Sequence, residues 1–146
     1  MRFLYLFALM SGLYSASLLA EPKLHLLFHM GIGSSGQYFV GGTLENNGDA
    51  SVYRGFVVIS PLTIDCHPEA PLLWSFGEIK EGEKLEFKIP VPGRLHGYKL
   101  NTLHAVDSFG IAVSIVDETA EVIENKKQAY LGKCREHRIN SIEKIF

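Results

Sequence analysis

The chain has 146 residues, 47% of them hydrophobic and 21% charged, a balance that builds a globular core and excludes disorder as the default. Its formal charge of −2 excludes the concentrated basic surface that a nucleic-acid binder needs.

The first element is a leader. Arg2 precedes an apolar run over residues 3–10, and Ser15, Ala16, Ser17 and Ala20 form a small-residue exit ahead of Glu21 and Pro22. A basic start, a short apolar stretch and such an exit mark a secretory signal peptide over residues 1–20. Ser11, Gly12, Ser15 and Ser17 dilute the run below the ~20-residue span of a retained anchor. No cysteine stands near the cut to carry a lipid. A single domain over residues 21–146, about 125 residues with one core, is expected in the periplasm or secreted.

Beyond the leader the apolar residues mostly alternate, the period of strands. His25 and His29 flank Leu26-Leu27-Phe28. On a strand they share a face ~13 Å apart, too far to chelate one ion, and are expected to be exposed. Gly31-Ile32-Gly33-Ser34-Ser35-Gly36 spells a dinucleotide-binding fingerprint. That mechanism needs a helix at the last glycine, and Gln37 onward reads as strand, so the run is a connection between strands. Asn46-Asn47-Gly48-Asp49 is read as a hairpin turn between residues 37–45 and 51–60. The second of these is apolar on both faces, Val52, Phe56 and Val58 against Tyr53, Val57 and Ile59, and belongs mid-sheet.

Pro61, Pro68 and Pro71 make residues 61–73 an irregular crossing that contains Cys66. Residues 74–79 then lead through the turn Lys80-Glu81-Gly82-Glu83 into the clearest strand, where Leu85, Phe87 and Ile89 face a core. Asp107-Ser108-Phe109-Gly110 plays the turn between residues 98–106 and 111–117. One short helix is expected over residues 126–138. These turn intervals predict an all-β, immunoglobulin-like β-sandwich of seven or eight antiparallel strands with a short C-terminal helix.

Gly42-Thr43-Leu44-Glu45-Asn46-Asn47-Gly48, the strand at Val52 to Ile59, Gly82-Glu83 and Phe87-Lys88-Ile89-Pro90 follow one another in a familiar cadence. Over residues 39–92 the chain resembles bacterial exported immunoglobulin-like modules of the FxLYD type. It departs from them at the name-giving run, which here reads Phe56-Val57-Val58-Ile59-Ser60. The resemblance implies an extracytoplasmic, mostly non-catalytic sandwich and no shared active site.

Cys66 and Cys134 are the two cysteines, and an exported setting favours a disulfide between them. The same proximity would bring His67 and His137 into a Cys₂His₂ set suited to zinc. His25, His29, His67 and His137 are therefore the candidate metal ligands, and no bound cofactor is expected. Catalysis would need a nucleophile, a base and an orienting group at recognisable spacing. His96, His104, Asp107 and Ser108 do not supply it, and Glu81 and Glu83 read as exposed turn residues, so no catalytic residue is named.

The charge is uneven, with Glu78, Glu81, Glu83 and Glu86 mid-chain against Lys126, Lys127, Lys133, Arg135 and Arg138 in the C-terminal segment 126–146. The basic side chains are the candidate contacts for a partner, and outward-facing aromatics of the strands add to them. The leading expectation is an exported, non-catalytic binding protein of the cell envelope. It would act as an inhibitor or immunity protein, or as an assembly accessory. Its partner is another envelope or secreted protein, with no nucleic acid and at most peripheral membrane contact. The alternative is a periplasmic copper, zinc or small-ligand carrier, and third comes an uncharacterised hydrolase.

Overall fold

Alternating apolar residues do set the architecture. The computed structural model describes residues 19–143, so the expected leader, its last two residues apart, lies outside them. Seven strands pack as two sheets: β1 (Lys23–Ser34), β2 (Gln37–Asn46), β3 (Arg54–Leu62), β4 (Leu72–Phe76), β5 (Lys84–Val91), β6 (Gly97–Val106) and β7 (Ser114–Asp117). One helix follows, α1 (Ala120–Glu143). The sheets run β5-β2-β1-β7 and β4-β3-β6. The fold is an all-β sandwich with a C-terminal helix.

As in immunoglobulin-like sandwiches, the first, second and fifth strands share one sheet and the third and sixth the other. The last strand departs from that scheme. After a single bridge from Val106 to Ala112 it crosses over and pairs in parallel with β1, from Lys23↔Ser114 to Leu26↔Asp117.

The core lies between the sheets. Leu24, Leu26, Val40, Leu44, Phe87 and Ile89 from one sheet meet Val57, Ile59, Phe76 and Ala105 from the other. Trp74 on β4 spans the gap to Phe87 on β5, their ring centroids 5.7 Å apart. β3 is central and apolar on both faces, and β5 places Phe87, Ile89 and Val91 inward, as their alternation requires.

Several local expectations change. Asn46-Asn47-Gly48-Asp49 is not a hairpin turn, because β2 and β3 belong to different sheets. Asn46 is instead fully buried, and its side chain ties four backbone groups together. Its Oδ1 accepts from Lys23 N (3.3 Å) and Gly48 N (3.1 Å), and its Nδ2 donates to Ala50 O (2.7 Å) and Ile79 O (3.0 Å). The Gly82 turn forms as expected, with φ +70°, but it too joins strands of opposite sheets. The tight hairpin lies at Ser35-Gly36, inside the apparent nucleotide fingerprint. Both residues have positive φ (52° and 78°), the backbone of a two-residue turn that follows strand twist. A strand on either side, and no helix, removes the phosphate-binding geometry.

β1 carries a bulge between Leu26 and Phe28. An extra residue reverses the alternation beyond it. His25 and His29 therefore stand on opposite faces rather than sharing one, and both are half-buried rather than exposed. The helix starts six residues earlier than its composition marks and runs 24 residues.

A candidate binding surface at the loop end

The β2–β3, β4–β5 and β6–β7 connections and the start of β1 all lie at one end of the sandwich. Backbone bonds from Asn47 to Lys23, Asp49 to Glu21, Gly82 to Asn46 and Tyr53 to Val106 lash them together. On this platform stands the most exposed large apolar side chain among the described strands and loops, Phe109, at 86%. Ile111 (64%) and Tyr53 (53%) stand near the same end.

The turn that carries Phe109 is built rather than loose. Asp107 Oδ1 accepts from Phe109 N (2.9 Å) and Ile111 N (2.8 Å). Gly110 N donates to Asp107 O (3.1 Å), and Gly110 adopts φ +82°, a conformation costly for other residues. A backbone pre-fixed in this way has little more entropy to lose when the side chain it carries makes contact. Burying a phenylalanine fully against a partner gains about 1.5–3 kcal/mol. A small hollow beside it is lined by Pro22, Ala50, Tyr53, Glu78, Asp107 and Phe109. Glu78 lines this hollow, and Glu21, Asp49 and Glu81 line a neighbouring one together with Lys23, so acidic side chains outnumber basic ones at this end. The Arg54 guanidinium lies 5.7 Å from the Tyr53 ring.

The basic candidates on α1 sit elsewhere. Lys126 and Lys133, two turns apart, share one side of the helix. Lys127 is bound to Glu124 (3.1 Å), and Arg135 follows Cys134, which is buried against the body. Lys126, Lys127, Lys133 and Arg135 do not fall on one helical face, and the Arg138 side chain lies outside the described residues. Of the aromatics that the sequence places in strands, Phe76 and Phe87 are buried, Trp74 and Tyr98 are half-buried, and Tyr53, just ahead of β3, is exposed. Phe28 on β1 (46%) is exposed as well, away from the loop end. Phe109 and Ile111 were not singled out by sequence. Asp107 followed by Gly110 was the available signal, since that spacing fixes a turn and lifts what lies between.

Cys66 and Cys134 form a disulfide, with Cα atoms 5.7 Å apart. Neither sulfur is then a thiolate for zinc, although His67 adjoins one cysteine and His137 lies three residues past the other. His25 Nδ1 donates to Glu118 Oε1 (2.6 Å), tying β1 to the β7–α1 junction. His29 Nδ1 is hydrogen-bonded to Tyr98 Oη (2.6 Å) across the gap between sheets. Burial lowers the His29 pKa against a smaller opposing pull from Asp117. Burial, with the Asp117 charge adding to it, pushes Tyr98 up to about 12. This pair stays neutral near pH 7 and bridges the sheets. Among the described residues no cluster of three metal-ligating side chains occurs.

No known family model matches the chain, and no curated protein matches it in sequence. A solved structure that it is similar to is that of IrmA from Escherichia coli, 7% identical with a TM-score of 0.43. The match covers 68% of this chain and 92% of that one. A likeness at that level carries no argument about function.

Proposed function

We propose that this chain is an exported, non-catalytic binding protein of the cell envelope that acts by docking its loop end on another protein. The observation that carries this reading is Phe109, held 86% exposed on a turn fixed by Asp107. An isolated exposed apolar residue is ordinary, but one lifted by a purpose-built turn among Ile111 and Tyr53 is the anchor of a contact surface. The acidic surround selects a partner that offers an apolar pocket with a basic rim. An inhibitor, an immunity protein and an assembly accessory all work in this manner.

Export is part of the proposal. It is supported by the leader sequence and by the disulfide, which persists in oxidising compartments. Among the described residues, no helix is long and apolar enough to cross a membrane. The kinship with FxLYD-type modules, carried by strands β2 to β5, belongs to the same proposal.

The test is affinity capture from the protein's own envelope or secreted fraction, with the intact chain and Phe109→Ala compared. A partner retained by the first and lost at least tenfold by the second is expected. Equal retention by both would remove the loop end as the contact, and turnover of an envelope substrate by the purified protein would remove the non-catalytic reading.

A further inference from the structure

β7 accompanies β1 only from Lys23 to Leu26. Beyond Leu26, no strand among the described residues lies on that side of β1. The free stretch reads Phe28-His29-Met30-Gly31-Ile32-Gly33-Ser34, with no proline and no acidic or basic residue other than the histidine. Sheet edges are ordinarily guarded by charge or proline, because their unpaired amides and carbonyls are a template for another strand. The opposite edge of the same sheet is guarded in that way: β5 carries Lys84, Glu86, Lys88 and Pro90. The β1 edge is not.

Its surroundings leave it open. Phe28 (46%) and Met30 (51%) are exposed on the outer face, and Gly31, Gly33 and Ser34 are exposed too. The outer rows, read from the pairing, are Phe28–Thr43–Glu86, Met30–Gly41–Lys88 and Ile32–Phe39–Pro90. The rows are charged at the β5 side, in Glu86 and Lys88, and apolar at this edge, in Phe28, Met30 and Ile32. Helix α1 leaves the sandwich at the Leu26 end of this stretch, where Glu118 N donates to Leu26 O (3.1 Å). Further along it is fastened to the other sheet, through Cys134 to Cys66 in the β3–β4 loop and through Tyr130 at Gly97 of β6.

We infer that this edge is a dimerisation strand: β1 of one protomer pairs antiparallel with β1 of a second copy, joining the two sheets into one. Antiparallel self-pairing obeys a two-fold axis, so one patch serves both partners and needs no second complementary surface. An edge without fixed charge meets no repulsion from its own copy, and burial keeps His29 neutral near pH 7. The axis sets outward side chains beside outward ones, so Phe28, Met30 and Ile32 of the two copies close into a single band. The loop end lies at the start of β1, away from this stretch, so the dimer neither requires nor blocks the docking proposed above.

Sedimentation equilibrium of the oxidised protein tests this, with Met30→Lys/Ile32→Lys as the comparison. A mass twice that of the chain is expected, and the double variant, which places charge on the edge, should weaken association at least tenfold. A protein that stays monomeric up to millimolar concentration would overturn the inference. So would a dimer indifferent to the two lysines, or open-ended polymers. If the double variant does not fold, amide exchange of the unaltered protein decides. Protection over residues 28–34 must rise with concentration, and flat protection would count against the dimer.

Discussion

Asn46 sits fully buried among Leu24, Val52 and Ile79, yet all its polar capacity is used. It joins the entry of β1, the exit of β2, the β2–β3 loop and the β4–β5 link through one side chain. Replacing its amide by a carboxylate turns the donor that serves Ala50 O and Ile79 O into an acceptor facing acceptors. Asn46→Asp should therefore lose about 2–4 kcal/mol of stability, and Asn46→Ala about as much, by leaving buried backbone groups unpaired. Urea unfolding of both variants measures this, and a loss below about 0.5 kcal/mol would show that the knot is not structural.

The His29–Tyr98 bridge makes a second residue-scale prediction. His29 has a folded pKa below its unfolded value of about 6.5, so the unfolded chain binds the proton more readily. Its contribution is complete above pH 6.5 and is lost as pH falls toward the lower folded value. Tyr98, pushed up to about 12, acts in reverse: its contribution is complete below pH 10 and is lost as pH rises from there toward 12. His29→Leu should flatten the acid-side fall of stability that begins below pH 6.5 relative to the unaltered protein. Parallel curves for the two proteins would contradict the assignment.

Among the elements, α1 stands apart. It is 24 residues long with no apolar stripe, and Val122, Ile123, Leu131 and Ile139 are all exposed. Its start is fixed where Thr119 O accepts from Ile123 N (3.0 Å) and Asp117 Oδ1 accepts from Thr119 N (2.8 Å). Further along, Tyr130 is half-buried and Cys134 buried. Helices owe most of their stability to a packed face, and this one has little. The disulfide closes a 68-residue separation and stabilises the fold by about 4 kcal/mol on the chain-entropy model. Cys66→Ser should thus free residues 126–140 to exchange their amides rapidly, while β1, β2 and β3 remain protected. Unchanged protection of the helix would mean that packing, rather than the tether, holds it.

The same scale shows what sequence makes legible. Period-two alternation fixed β5 down to which side chains face the core, because burial of one face leaves no other register. In β3, apolar on both faces, it did not: Val57 and Ile59 are buried together with Val52, which the alternation set on the other face, while Phe56 and Val58 are half-buried. Turn chemistry identified where the chain bends but not what the bend joins. Asn47-Gly48 and Gly82 both sit between apolar runs as hairpin turns do, yet each carries the chain from one sheet to the other. The bulge at Leu27 was silent, since one extra residue changes no composition, and it reversed the relation of His25 to His29. The helix began early because Ala120 and Glu121 follow a cap at Thr119 that reads as loop when Asp117 is not known to fold back on it.

At the scale of the whole molecule, two surfaces are left unfinished by the fold. One is the loop end, where a turn braced by Asp107 holds Phe109 in water. The other is the unguarded half of β1. Phe109 escaped sequence reading because an aromatic inside a turn signal looks like any turn residue until its exposure is seen. The basic C-terminal cluster stood out in sequence, but helical geometry spreads it around α1.

The most direct measurement is a native mass spectrum of the protein released gently from its own envelope or secreted fraction, beside the same preparation of Phe109→Ala. The binding account predicts a stoichiometric protein companion on the unaltered chain and its absence from the variant. A small added mass matching a metal or an organic ligand, with no protein companion, would contradict it and favour a carrier instead.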